Sequence, residues 1–180
     1  TYTWSASSNV GFGASGSGNI AAYTATNGGS GVVISTVNVT PKTAFCTGPT
    51  RAFTVTVNPT PVVNSIGNIT YCGSASGAPI NFSSPTSGTT FAWTSSGNVG
   101  FGTNGTGNIA GYTVTNPVTT TATASITVNP TANSCAGPAS TFTITVNPTP
   151  VVSLTGVSNI CIGFTTTLSP STGGTWVSTN

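Results

Sequence analysis

Residues 93–113 read Trp93-Thr-Ser-Ser-Gly-Asn-Val-Gly-Phe-Gly-Thr-Asn-Gly-Thr-Gly-Asn-Ile-Ala-Gly-Tyr-Thr113, and nearly the same string fills residues 4–24. Between Trp4–Asn27 and Trp93–Asn116 the identity is 16 positions in 24, at a constant offset of 89 and without a gap. A period that long is the size of a small domain, which predicts a tandem array rather than one core. The offset persists downstream, where Cys46–Val63 matches Cys135–Val152 at 13 of 18 positions. Asn58-Pro-Thr-Pro61 and Asn147-Pro-Thr-Pro150 recur in the same phase. Each closes an alternating run and holds the backbone in extended or turn conformations, as a boundary should. The layout read from this is an N-terminally truncated repeat at 1–60, a complete repeat at 61–149 and the start of a further domain at 150–180, as in a window cut from a longer array.

The periodicity inside the repeat is two. Thr141-Phe-Thr-Ile-Thr-Val146 puts Phe142, Ile144 and Val146 on one face and three threonines on the other, the pattern of a half-buried strand. Ala122-Thr-Ala-Ser-Ile-Thr-Val128 repeats it, and Val33, Val37 and Val39 take the matching places in the first repeat. Strong helix formers are scarce, so no helix is expected. Clusters of Gly, Pro, Asn and Ser punctuate the chain every ~8–12 residues, the spacing of an all-β sandwich. Strands are expected near 62–69, 79–83, 89–95, 108–115, 122–128 and 139–146.

The composition excludes most chemistry. There is no Asp, Glu or His, and the only charged side chains are Lys42 and Arg51. Their counterparts at offset 89 are Thr131 and Ser140, so charge is not part of the repeat. A proton shuttle usually needs His or a carboxylate, a hard-metal site needs carboxylate oxygens, and zinc needs His or clustered thiolates. The four cysteines, Cys46, Cys72, Cys135 and Cys161, lie at least 26 residues apart and form no metal motif. The expectation is a protein that is not an enzyme, with no cofactor and no catalytic or metal site. A net charge of +2 gives no footprint for nucleic acid, and no apolar run reaches the ~18 residues of a membrane span. An internal Lys–Asn isopeptide bond is excluded too, because its chemistry uses a carboxylate.

Some motifs tempt a sharper reading. Gly100-Phe-Gly-Thr-Asn-Gly105 and Gly11-Phe-Gly-Ala-Ser-Gly16 fit the dinucleotide fingerprint G-x-G-x-x-G. That fingerprint works only where a strand turns into a helix and an acidic residue follows, and neither condition holds here. The glycines are read instead as allowing positive φ in a long turn. Trp4, Trp93 and Trp176 could stack on sugars, but their alternating context, as in Phe91-Ala-Trp93, assigns them to the core. Phe12 and Phe101, each between glycines, either cap their own core or reach a neighbouring domain. Thr-x-Thr runs are read as solvent-facing strand positions. Four Asn-x-Ser/Thr sequences match the glycosylation acceptor in a chain so rich in Asn and Thr that chance matches are expected.

The run Phe91-Ala-Trp-Thr94 with Gly105-Thr-Gly-Asn-Ile109, then Ile126-Thr-Val-Asn-Pro-Thr-Ala-Asn-Ser-Cys-Ala-Gly-Pro138 and Thr143-Ile-Thr-Val-Asn-Pro-Thr-Pro150, resembles the PKD-like repeats of giant secreted surface proteins of Bacteroidota. Residues 160–180 look more like the opening of a bacterial Ig-like (BIG2-type) domain. The resemblance implies tandem immunoglobulin-like sandwiches, exported to the cell surface and used in adhesion, gliding or fibre formation. By analogy with immunoglobulin-like sandwiches, where a buried Trp packs on an inter-sheet disulfide, the order Cys72, Trp93, Cys135 implies a Cys72–Cys135 bond. Such a loop would add roughly 4 kcal/mol; the alternative is a Cys46–Cys72 staple across the boundary. Disulfides imply an oxidising, extracellular setting. The functional expectation is an extracellular structural repeat protein forming a fibre, filament or adhesin stalk, with neighbouring copies or domains as partners. The alternative is a carbohydrate-binding adhesive module that recognises surface polysaccharide.

Acid unfolding comes mainly from carboxylates and histidines whose pKa changes on folding, and this chain has neither. Its thermal midpoint is therefore expected to move by less than about 3 °C between neutral pH and about pH 3. Circular dichroism melts check this, and a fall of about 10 °C or more would refute it.

Overall fold

The computed structural model describes residues 1–150, 154–155, 159–165 and 169–170. Its elements in chain order are β1 (Tyr2–Ala6), β2 (Ser15–Ser17), β3 (Val33–Pro41), β4 (Arg51–Val57), β5 (Ile69–Cys72), β6 (Ser76–Gly77) and β7 (Thr90–Ser95). There follow β8 (Asn104–Thr106), β9 (Tyr112–Thr113), β10 (Ala122–Ala132), β11 (Cys135–Ala136), β12 (Ser140–Asn147), β13 (Leu154–Thr155) and β14 (Ser169–Pro170). The described residues are all-β and contain no helix.

Two main sheets form. The first has the order β2-β1-β3-β4 and the second β5-β12-β10-β7-β8, with β11 also pairing with β10. Pairing is antiparallel throughout except for β5, which lies parallel to β12 with Ile69 opposite Ile144 and Cys72 opposite Asn147. A small β6–β9 ribbon and a bridge between Ile80 and Ile109 close over the second sheet. β13 and β14 pair with each other.

Shifted by 89, the pairings β1–β2, β1–β3 and β3–β4 become β7–β8, β7–β10 and β10–β12. Trp4 faces Gly16 as Trp93 faces Gly105, and Val37 faces Phe53 as Ile126 faces Phe142. The loops recur as well. Asn98 Oδ1 accepts from the N–H groups of Gly100 and Gly102, both at 2.9 Å, and Asn9 does the same for Gly11 and Gly13. The Asn116 amide donates to the carbonyls of Thr120 and Val146, as that of Asn27 does to Gly31 and Val57. These short amide side chains satisfy loop groups locally, which is why Asn and Gly dominate there.

The glycine-rich stretch thus has a structural explanation. Gly100 sits at φ 125°, and a Cβ there would run into the Thr113 carbonyl; Gly11 meets Thr24 in the same way. The close approach lets the loop fold back on the strand that follows it, where Thr115 N–H donates to the Val99 carbonyl.

The core of the second sheet is built from Ala124, Ile126 and Val128 of β10, Phe142, Ile144 and Val146 of β12, and Trp93 of β7. Ile80, Phe82, Ile109 and Val114 cover them from the opposite layer. Each fully buried Val, Ile or Phe is worth about 1.5–3 kcal/mol relative to exposure. The first sheet carries the same inward pattern with less cover. Phe142 is 3% exposed, whereas Phe53, its counterpart, is 48% exposed. Phe91 is half-buried while its counterpart Tyr2 is exposed at 54%. The difference lies in residues 63–82: β5 extends the second sheet beside β12 and Ile80 and Phe82 cover it, whereas β4 has β3 as its one strand neighbour among the described residues.

Three strand expectations change. The one placed at 62–69 starts at Ile69, residues 79–83 make only the Ile80 bridge, and 108–115 shrinks to β9 beside that bridge. Pro61, Gly67 and Pro79 interrupt these stretches, and proline lacks a ladder donor. Conversely, residues 104–106, expected as part of a turn, form β8 on the free edge of β7.

Gly100→Ala is expected to cost more than about 2 kcal/mol, since it meets both positive φ and a backbone carbonyl. Gly107→Ala, at φ 68° with open space around it, should cost only about 1 kcal/mol. Urea unfolding of both variants tests this, and equal losses would contradict the close-approach explanation.

Candidate functional site

The positions singled out from the sequence converge on one aromatic cluster in each repeat. Trp93 projects from β7 across β8, where Gly105 leaves room for the indole; a Cβ on Gly105 would collide with the ring. Phe101, carried by the Asn98-capped loop, meets Trp93 edge-on at 5.5 Å between ring centroids and Tyr112 at 4.9 Å. The first repeat builds the same trio from Trp4, Phe12 and Tyr23, at 5.7 and 4.8 Å. Edge-to-face contacts of this kind add about 0.5–1.5 kcal/mol beyond area burial.

Trp4 and Trp93 are buried, so neither presents a flat face to a sugar. Trp176 lies outside the described residues. Of the two readings of Phe12 and Phe101, the rings sit as caps on their own core: each lies between the Trp and Tyr of its own repeat, turned inward by the positive-φ glycines on either side. The indole N–H groups of Trp4 and Trp93 and the Tyr112 hydroxyl are buried with no hydrogen-bond partner among the described residues. Burial pushes the Tyr112 phenol well above its ordinary range, and Tyr71, whose ring lies 6.2 Å away, adds to the shift.

The disulfide expectation is also corrected. Cys46, Cys72, Cys135 and Cys161 are free thiols. Cys72 ends β5 opposite Asn147, the last residue of β12, whereas Cys135 precedes the first residue of β12, Ser140. Seven strand steps at about 3.3 Å separate the two ends, roughly 23 Å. A disulfide needs Cα atoms about 6 Å apart. The parallel placement of β5, which Cys-Trp-Cys order does not encode, is the reason. Cys46 and Cys72 do not meet within the chain either: Cys46 sits in the turn between β3 and β4, at the end of the first sheet remote from the second.

A contact surface that sequence reasoning missed lies at the boundary. Pro59 and Pro61 of the Asn58-Pro-Thr-Pro61 linker are fully buried. They sit on the turn from Pro130 to Gly137: the Asn58 amide donates to the Asn133 carbonyl at 3.2 Å, and Gly137 lies so close to the Pro61 carbonyl that no Cβ would fit. At the other end of the second sheet, the identical Asn147-Pro-Thr-Pro150 lies beside Cys72 and Gly73. Gly73 N–H donates to the Asn147 carbonyl at 2.8 Å, and Thr149 Oγ1 donates to the Gly73 carbonyl at 3.3 Å. Repetition of the linker marked a boundary; that Pro59 and Pro61 are buried while Pro148 is half-buried and Pro150 exposed is visible only in the structure.

Chemically, these surfaces offer amides, hydroxyls, carbonyls and thiols, but no acid–base pair. Among the described residues no three metal-ligating side chains cluster. The sequence matches no protein-family model and no curated protein.

The folded pKa of Tyr112 is raised above the unfolded value near 10, so its contribution to stability is intact below about pH 10 and lost as the pH rises above it. Tyr112→Phe removes a buried unpartnered hydroxyl, so it is expected to keep or raise the urea midpoint at neutral pH and to lessen the loss at about pH 11. An unchanged alkaline loss in the variant would refute the assignment.

Proposed function

We propose that this chain is an extracellular structural repeat protein, a building unit of a surface fibre, filament or adhesin stalk. Its units are read as immunoglobulin-like or PKD-like sandwiches at 1–60 and 61–149, with a further Ig-like domain beginning at 150. The reading rests above all on the seated linker: Pro59 and Pro61 are buried against the end of the second sheet, so the first sheet joins the second through a short, packed, proline-stiffened segment rather than a free tether. A stalk needs such joints, because its reach depends on limiting the bend at each one. The near absence of charge supports the same reading, since side chains that do not titrate suit a surface exposed to changing pH and salt. The chemistry available is non-enzymatic, with neighbouring units of the same protein as partners.

Electron microscopy of the native material tests this. Long, thin, unbranched fibres with an axial spacing that fits stacked small domains are expected; a dispersed population of globular particles would sink the proposal.

A further inference from the structure

The linker and the thiols keep the same period. Asn58-Pro-Thr-Pro61 recurs at an offset of 89 as Asn147-Pro-Thr-Pro150, Cys46 recurs as Cys135, and Cys72 as Cys161. Lys42 and Arg51 do not recur, so the cysteines belong to the repeat as the charges do not. Each copy of the linker shows a different half of one joint. At Asn58 the half that follows the linker is built. The Asn58 amide donates to the Asn133 carbonyl at 3.2 Å, Gly137 lies against the Pro61 carbonyl, and Cys135, half-buried, lies between Asn133 and Gly137 on the same turn. At Asn147 the half that precedes the linker is built. β5 runs parallel to β12 with Cys72 opposite Asn147, Gly73 N–H donates to the Asn147 carbonyl at 2.8 Å, and Thr149 Oγ1 donates to the Gly73 carbonyl at 3.3 Å. The Cys72 thiol is exposed there.

Laying one linker on the other, Asn147 on Asn58, gathers both halves around a single Asn-Pro-Thr-Pro. Its asparagine has a Cys72-type residue as its neighbour across the parallel strand pair, about 5 Å away. Through its side chain the same asparagine holds the residue two places before a Cys135-type thiol. Both thiols thus flank one residue, at the scale of the Cα separation of about 6 Å that a disulfide spans. Other pairings fail on place. Cys72 and Cys135 of one unit lie at opposite ends of the second sheet, and Cys46 lies at the end of the first sheet remote from the second.

We propose that each joint between two such repeats carries a disulfide from the Cys72-type thiol of one repeat to the Cys135-type thiol of the repeat that follows. Two thiols lose two protons and two electrons as the S–S bond forms, and a disulfide oxidant such as oxidised glutathione takes them up as two reduced glutathiones. The bond ties each repeat to its successor rather than to itself. The linker is then closed in a covalent ring with the ends of the two units it joins, so the bend that Pro59 and Pro61 limit by packing is limited by a bond as well. This staple rests on the array of the fibre reading above and names what locks its joints.

The test is the full chain with residues 61–149 standing twice in succession, oxidised with glutathione disulfide. In one version, Cys135→Ser in the first copy and Cys72→Ser in the second leave the two thiols that flank the new joint. In the other, Cys72→Ser in the first copy and Cys135→Ser in the second leave the two thiols at the far ends. Each version keeps four thiols, as the present chain does. The first is expected to lose two of them, with peptide mapping placing the bond between Cys72 of the first copy and Cys135 of the second; the second is expected to keep all four. Bond formation in neither version, or in both, would overturn the proposal, with circular dichroism verifying that each is folded. The native material gives a second measurement that does not depend on those variants. Digested without reduction, it should yield Cys72-type peptides joined to Cys135-type peptides, and thiols that alkylate freely or pairs from within one repeat would also overturn the staple. The two proposals fail separately. Native fibres with free thiols end the staple and leave the fibre reading standing, whereas dispersed globular particles, with the bond formed in the lengthened chain, end the fibre reading and leave the staple.

Discussion

The contact on which the rest of the structure depends is the indole of Trp93 lying across Gly105, with Trp4 over Gly16 as its copy. A tryptophan is too large to bury beside an ordinary strand neighbour, and the Cβ-less residue opposite makes the space. That choice imposes the next. A strand of Asn104, Gly105 and Thr106 has little side chain of its own to pack, so Phe101 must turn inward to wedge the indole, and Tyr112 must close the far side. Turning Phe101 inward requires positive φ at Gly100 and Gly102, and Asn98 stabilises that backbone by accepting from both their N–H groups. The most recognisable stretch of sequence is therefore one mechanical object: a large ring, the gap made for it, and the loop that locks it.

The fold class was legible because alternation in β10 and β12 is nearly perfect, and period two admits one reading. The repeat was legible for a different reason: identity at a fixed offset needs no physics at all. The failures cluster where pattern and topology part company. β8 was invisible because Asn-Gly-Thr has the composition of a turn; its strand geometry is imposed by Trp93 rather than by its own propensity. The Cys72–Cys135 pairing failed because the order of residues along a chain says nothing about which end of a sheet each reaches. β5 runs parallel to β12, and that one fact carries Cys72 to the far end. Phe101 could be assigned only once its loop was seen to bend back on its own strand. The linkers were recognised as punctuation, while their role as contacts depends on which of two identical copies is covered, a property no local sequence can express.

Both linkers have the same four residues and differ only in their neighbours. Pro59 is buried by the Pro130–Gly137 turn, and its twin Pro148 is partly exposed. The same holds for Phe53 and Phe142, whose local sequences, Phe-Thr-Val-Thr-Val and Phe-Thr-Ile-Thr-Val, differ by one methyl-sized change. Burial in this molecule is thus set by what lies alongside rather than by local sequence, and the second sheet is finished by residues 63–82, which precede most of its strands in sequence. Among the described residues β4 is an edge strand, and the usual guard on such an edge, charged side chains, is reduced there to Arg51.

The parallel placement of β5 against β12 has a mechanical meaning. If the second unit is pulled by its two ends, tension enters ahead of β5 and leaves after Asn147, drawing two neighbouring parallel strands in opposite directions along their own length. The backbone bonds spanning Ile69–Cys72 and Ile144–Asn147 are then loaded side by side, in shear, and must give way together instead of opening one at a time like a zipper. Resistance to force is governed by the rate of unfolding rather than by equilibrium stability. One short strand, set in the less common orientation, can make a small and nearly uncharged unit hard to pull apart.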